Sequence, residues 1–222
     1  MTKNNNTRLR VYETFAGIQG ESTRAGRPCY FIRLAGCPLR CAWCDTPKAR
    51  AFDSGRNRTI DSLVREAVKS GLPLAEVTGG EPLMQAGTPE LCRKLLESGL
   101  EVLIETNGAA DCRVLPEGVI RIVDMKTPSS GETEKMLRTN FEGLRGCDEV
   151  KFVICDRRDY EFAKDAITEF KLADRVPNIL FSPAYGRIDM PKLCEWILRD
   201  RLPVRINLQF HKIIWGAEAE GV

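Results

Sequence analysis

The sequence predicts an α/β fold in which parallel strands are joined by helical crossovers, and two observations carry that prediction. Runs rich in branched and aromatic residues recur at fairly even intervals, at 29–34, 74–78, 101–105, 120–124, 149–154, 178–182 and 203–208. Segments with helical spacing lie between them. Strand alternating with helix means parallel pairing through right-handed crossovers. With about six such units, two architectures are open, an incomplete barrel and an open wound sheet.

Each element has its own warrant. The strand interiors are nearly continuous in apolar residues, as expected of parallel strands covered on both faces. Ile60, Leu63, Val64, Ala67 and Val68 follow a helical period, with Thr59 as N-cap and Gly71 just past the end. Thr88-Pro89-Glu90 reads as a cap with proline at the first helical position, leading into Leu91, Leu95 and Leu96 and stopping at Gly99. Phe162, Ala163, Ala166, Ile167 and Phe170 mark a third helix. Leu193, Trp196 and Ile197 mark a fourth, opened by Asp189 and Pro191. The polar stretch 127–134 reads as a loop. No internal repeat, low-complexity tract or Gly/Ser linker divides the chain, so a single domain over 1–222 is expected.

The composition narrows the function. The 222 residues are 43% hydrophobic and 29% charged, with 33 Lys plus Arg against 31 Asp plus Glu and a formal charge of +2. That near-balance argues against nucleic acid as a partner, since displacing counterions takes a clear basic excess. No stretch approaches the roughly 18 apolar residues of a membrane span, so no membrane partner is expected. The polar start, Met-Thr-Lys-Asn-Asn-Asn-Thr-Arg, lacks a signal's apolar core, which predicts a cytoplasmic protein.

Nine cysteines are many for such a chain. In a reducing compartment they stay as thiols. Cys29, Cys92, Cys112, Cys147, Cys155 and Cys194 are scattered singly and read as small buried hydrophobes. Cys37, Cys41 and Cys44 are packed into eight residues with the spacing Cys-x3-Cys-x2-Cys. A structural zinc site wants four ligands, commonly in two pairs, and no second Cys-x2-Cys pair exists. Three cysteines suit a 4Fe-4S cluster with one iron left open for a substrate or cofactor. Further polar clusters follow strand ends: Thr78-Gly79-Gly80-Glu81, Glu105-Thr106-Asn107, Asp124-Met125-Lys126 and Ser182-Pro183-Ala184-Tyr185. That C-terminal face is where parallel sheets and barrels bind ligands.

The cysteine loop, with Trp43 before its last thiol, resembles the cluster motif of the radical S-adenosylmethionine superfamily. Finer motifs are Ile18-Gln19-Gly20-Glu21, Arg33, Cys44-Asp45-Thr46, Thr78-Gly79-Gly80-Glu81-Pro82, Glu105-Thr106-Asn107-Gly108 and Gln209-x-His211-Lys212. Together, from about Tyr12 to Trp215, they resemble the 7-carboxy-7-deazaguanine synthases. The resemblance implies an incomplete (β/α) barrel with its active site at the C-terminal ends of the strands. It implies a carbon–nitrogen lyase that contracts 6-carboxy-5,6,7,8-tetrahydropterin to 7-carboxy-7-deazaguanine with loss of ammonia, in queuosine-type 7-deazapurine biosynthesis.

Residue roles follow from the same resemblance. Cys37, Cys41 and Cys44 hold the 4Fe-4S cluster, whose open iron chelates S-adenosylmethionine, the source of the adenosyl radical. The cofactor is implied to contact Trp43, Asp45, Gly80, Glu81, Glu105, Asn107, Asp124, Met125, Lys126, Ser182, Pro183, Ala184 and Tyr185. The pterin is implied to contact Ile18, Gln19, Gly20, Arg33 and Thr78, while Thr46 ligates Mg2+ beside the substrate carboxylate. Arg33, in a strand interior, suits a bidentate carboxylate contact, with a protein salt bridge as its alternative. No side chain is assigned a catalytic step, because the cofactor carries the radical chemistry. His211 is open between a proton donor and a structural residue. The small acidic segment 217–222 departs from the family pattern and carries no assignment. An electron donor such as a flavodoxin or ferredoxin, and a homodimer, are implied partners. Rival readings are a radical activase acting on a glycyl-radical partner protein and a non-catalytic iron–sulfur or zinc module.

Overall fold

The computed structural model describes residues 7–217, 219, 221 and 222. The N-terminal segment 1–6, and Glu218 and Glu220 of the acidic segment, lie outside them. The strands are β1 (Arg8–Ile18), β2 (Pro28–Leu34), β3 (Arg56–Thr59), β4 (Leu74–Gly79), β5 (Glu101–Thr106), β6 (Ile120–Asp124), β7 (Glu149–Ile154), β8 (Asn178–Pro183) and β9 (Arg205–Ile206). The helices are α1 (Ile60–Lys69), α2 (Thr88–Glu97), α3 (Arg138–Glu142), α4 (Arg157–Glu169), α5 (Leu172–Arg175), α6 (Met190–Asp200) and α7 (Phe210–Trp215). All nine strands form one sheet in the order β3-β1-β2-β4-β5-β6-β7-β8-β9. From β2 to β9 every pairing is parallel, whereas β1 runs antiparallel to both β2 and β3.

The parallel part follows the expected runs within a residue or two, and two of its crossover helices, α1 and α4, start on side-chain caps, whereas α2 and α6 do not. Thr59 accepts the Ser62 N–H at 3.2 Å, and Asp156 accepts the Asp159 N–H at 3.0 Å, each the kind of cap that contributes about 1 kcal/mol. Thr88 is a helical residue and not the cap; its hydroxyl donates instead to the Pro82 carbonyl at 2.6 Å. The antiparallel edge differs from the expectation. β1 mixes buried Leu9 and Val11 with charged neighbours, and β3 is Arg-Asn-Arg-Thr, so neither is an apolar run. A charged, four-residue outer strand also blunts an otherwise sticky edge. The run at 203–208 shortens to two paired residues as the chain turns away toward α7.

The two sheet faces differ, which corrects the expectation of strands covered alike on both sides. Outward residues such as Ile32, Val77, Ile104, Val123, Val150 and Phe181 pack with Leu63, Leu91, Tyr160 and Leu193 of the helices in the main core. Inward residues form only a small cluster of Cys29, Phe31, Leu74, Leu103, Ile120 and Ile122. Charged side chains interrupt that inner face at period two, Glu76 in β4, Glu105 in β5, and Glu149 and Lys151 in β7. Of the scattered cysteines, Cys29, Cys92, Cys112 and Cys155 are buried as expected, while Cys147 is exposed and Cys194 partly so.

Candidate functional site

The cysteine loop leaves β2 through Gly36, whose φ of +99° is left-handed backbone that favours glycine. Main-chain bonds pin the loop along its length. Gly36 N–H donates to Ala49 O at 2.9 Å, Cys37 N–H to Arg50 O at 3.0 Å, and Ala42 N–H to Ser130 O at 3.1 Å. Arg40 N–H donates to the Glu132 carboxylate at 2.5 Å, and the Arg50 guanidinium to Cys41 O at 2.9 Å. Cys37, Cys41 and Cys44 thereby all line one cavity of about 690 Å3. Burial pushes the Cys41 thiol up to about 11, with the Lys126 ammonium opposing it. Three thiols pinned on one loop at a cavity wall are a donor set that fits three irons of a cubane cluster, which would deprotonate them on binding.

The turn after β4 is zipped against the start of this loop. Gly80 N–H donates to Leu34 O at 3.1 Å, and Glu81 N–H to Gly36 O at 2.8 Å. A Cβ on Gly80 would meet the Gly36 carbonyl and come within 2.7 Å of Cys37 Cβ. Glu81 is fully buried and accepts the Leu83 N–H at 2.9 Å, the Asn107 N–H at 2.7 Å and the Thr106 hydroxyl at 2.9 Å. It ties the ends of β4 and β5 together and does not line the cavity. Met125 is likewise placed in the core by its side chain. Every other residue expected at the site lines the cavity: Trp43, Asp45, Gly80, Glu105, Asn107, Asp124, Lys126, Ser182, Pro183, Ala184 and Tyr185, together with Ile18, Gln19, Gly20, Arg33, Thr46 and Thr78.

The electrostatics pair most of these groups. Lys126 reaches Asp124 at 2.6 Å and lies 4.9 Å over the Trp43 ring. Burial opposes the charge on Lys126, but Asp124 and Cys41 outweigh it and hold the ammonium above its usual range. Asp124 Oδ1 and Trp43 Nε1 are buried without a partner among the described residues, which fits a cofactor whose polar groups complete them. Deeper in, Lys151 pairs with Glu105 and, at 3.2 Å, with Glu21. Arg33 uses Nε to pair with Glu13 at 2.8 Å, across from it in the β1–β2 register. The Thr46 hydroxyl donates to Asp45 at 3.0 Å. Asp45 is half-exposed at the cavity mouth, and Lys212, the Gln209 amide and Lys151 outweigh its partial desolvation and hold it down at about 2. A threonine oxygen next to a carboxylate with a lowered pKa is a hard donor set that fits magnesium.

The segment after β9 closes the other side. Gln209 donates to Glu21 and Asp45, each at 3.0 Å, and Phe210 N–H donates to Gly20 O at 3.0 Å. His211 packs so closely that a Cβ on Gly20 would lie 3.0 Å from its main-chain nitrogen. Ala217, Ala219, Gly221 and Val222 also line the cavity, and the Val222 main chain would sit 2.8 Å from a Cβ on Gly17. Glu76, Lys151 and Asn207 line or brace the site without having been singled out in the sequence. Glu149 and Lys151, two residues apart in β7, are the signal that marks Lys151, whereas Glu76 is the one charge in β4.

Comparison with known proteins agrees with this geometry. The Radical SAM superfamily model matches residues 31–175. The chain is 40% identical over 228 residues to a 7-carboxy-7-deazaguanine synthase of Koribacter versatilis (strain Ellin345), covering 96% of this chain and 100% of that one. It is 42% identical over 217 residues to the 7-carboxy-7-deazaguanine synthase of Chlorobaculum tepidum, covering 96% and 97%. The crystal structure of QueE from Escherichia coli superposes with a TM-score of 0.77 at 22% identity, over 94% of this chain and 99% of that one, and shares its fold. A three-cysteine loop on an incomplete parallel barrel and relatives matched almost end to end place the chain in the 7-carboxy-7-deazaguanine synthase family of the radical S-adenosylmethionine superfamily.

Proposed function

We propose that the chain contracts 6-carboxy-5,6,7,8-tetrahydropterin to 7-carboxy-7-deazaguanine with loss of ammonia. The observation that carries this reading is the single cavity joining the three-cysteine loop to a chamber walled by Arg33, Thr46 and Thr78. When bound, a 4Fe-4S cluster with S-adenosylmethionine supplies one-electron cleavage and a hydrogen-abstracting carbon radical. The protein's own task is to hold, orient and keep out water. Cys37, Cys41 and Cys44 would hold the cluster. Gly80, Glu105, Asn107, Asp124, Lys126, Trp43, Asp45 and 182–185 would receive S-adenosylmethionine, with Glu81 and Met125 acting from behind the wall. Arg33 would fork onto the pterin carboxylate, Thr46 would hold Mg2+ beside it, and 18–20 and Thr78 would bind the ring.

Arg33 and Thr46 open on the same chamber, which suits a small anion with magnesium better than the broad groove an activase of a partner protein needs. In this reading residues 1–222 act as one domain, supported by a sheet that runs from Arg8 to Ile206. A flavodoxin- or ferredoxin-type donor, a second copy of the chain and a cytoplasmic setting belong to the same proposal. Among the described residues no helix is long and apolar enough to cross a membrane. The test is anaerobic incubation of the reconstituted protein with dithionite, S-adenosylmethionine, Mg2+ and the carboxypterin, followed by mass analysis. The expected product has lost ammonia from the substrate; unchanged carboxypterin with intact cluster and cofactor would contradict the reading.

A further inference from the structure

One buried carboxyl in the chamber, Glu76, neither holds the cluster nor pairs with a cation among the described residues. Glu76 lies in mid-β4, two residues before Thr78, so the two side chains point the same way, into the cavity that both line. It is 4% exposed. Two cations of the chamber point their ion pairs elsewhere, Lys151 to Glu105 and Glu21, and Arg33, through Nε, to Glu13. Glu76 has no ion pair among the described residues. Among the described residues its one side-chain hydrogen bond is accepted by Oε2 from the Gln19 side-chain amide, leaving Oε1 to the cavity. Gln19 is itself fixed, because its carbonyl oxygen accepts the Glu21 N–H at 2.8 Å. Burial, and then repulsion from Glu105 and Glu21, pushes the Glu76 carboxyl up to about 8, against the weaker pull of Lys151 and Arg33. A buried carboxyl kept without a cation is costly unless a ligand satisfies it.

Its surroundings describe that ligand. Phe31 is the register partner of Glu76 in β2, and it stacks on Phe15 with ring centroids 4.8 Å apart. Both rings, with Ile122, line the cavity. A flat apolar wall beside one anchored carboxyl suits a planar heterocycle carrying two adjacent N–H donors. We infer that Glu76 binds the 2-amino and N3–H edge of a 2-amino-4-oxo pyrimidine ring and makes that edge a condition of entry. The inference rests on the proposed pterin substrate and names the residue that selects it. Two N–H donors would favour the ionised carboxylate and compensate the burial that Gln19 alone leaves unmet.

The test uses the reconstituted full chain, anaerobically, with 6-carboxytetrahydropterin competing against its 2-oxo counterpart, 6-carboxytetrahydrolumazine. Assayed at about pH 9, where Glu76 is ionised even without ligand, the wild type should prefer the 2-amino ring by roughly 100-fold or more in kcat/KM, because the 2-oxo group would face a carboxylate. In Glu76→Gln the amide can donate to the 2-oxo group, and the preference should fall below about 10-fold. Glu76→Asp should keep the direction of the preference at lower affinity. A structural role would depress both substrates equally, so an unchanged ratio in Glu76→Gln would overturn the inference. Absence of discrimination in the wild type would overturn it as well, whether or not the variants fold. If the wild type converts neither ring, it is the proposed function that has failed.

Discussion

Arg33 divides its donors between the protein and the cavity. Nε is committed to Glu13, and among the described residues the rest of the fork has no protein partner while the residue lines the chamber. The salt bridge and the substrate contact are therefore compatible, with Glu13 aiming the guanidinium. Arg33→Lys keeps the charge but not the planar fork. It should lower catalytic efficiency by roughly 30- to 1000-fold, the equivalent of losing a charge-assisted contact of about 2–4 kcal/mol. It should also raise the ratio of 5′-deoxyadenosine released to product formed, because a misplaced ring leaves cofactor cleavage uncoupled. If Arg33 served the fold alone, Glu13→Gln would match Arg33→Lys in melting temperature and in coupling. Single residues were legible in the sequence where chemistry needs an unusual type, as with three thiols or an arginine inside a strand. Glu76 and Lys151 were not, because each is embedded among apolar strand residues and only the inner face of the barrel gives it meaning.

Among the elements, the turn 79–81 is the one whose packing reaches the metal loop. Gly80 is constrained by proximity, since a methyl group there would collide with the Gly36 carbonyl and Cys37 Cβ. Gly80→Ala should therefore displace the first cysteine and lower the iron bound per chain after reconstitution, with the fold retained. Gly146→Ala is the control, as nothing lies within 4 Å of a Cβ at that position, and it should bind iron like the wild type. Full iron in Gly80→Ala would mean that the turn and the loop are not coupled. β4 to β8 were readable from sequence within a residue or two; the four long helices were readable as elements, though α4 opens at Arg157, five residues ahead of Phe162, and α6 runs on to Asp200. β1 and β3 were not, because an antiparallel edge is built from alternating and charged residues that local pattern alone reads as loop. The turn into α7 was unreadable for a different reason. Its place is set by distant partners, Glu21 and Asp45 for Gln209, and Gly20 for Phe210.

Across the whole molecule, the sheet separates stability from chemistry. Its outer face and the helices hold the main core, and buried pairs such as Arg121 with Asp148 serve the fold there. The inner face has few apolar residues and holds the charged groups, so the side of the barrel without helices becomes the cavity wall. The α/β class and the strand-end placement of the polar clusters were legible, because parallel pairing dictates both. The closing segment 217–222 was not, since a run of small residues carries no pattern, yet its described residues line the chamber. The central claim is that this chamber presents a carboxypterin to a radical. The most direct measurement uses carboxypterin deuterated at the ring carbon bearing the carboxylate, with mass analysis of both product and recovered S-adenosylmethionine. If the substrate-derived radical takes its hydrogen back from 5′-deoxyadenosine, so that the cofactor is regenerated and not consumed, the product forms with loss of ammonia and deuterium appears in the recovered S-adenosylmethionine. Product formed with no deuterium ever entering the cofactor, or cofactor cleaved with the carboxypterin unchanged, would contradict that claim.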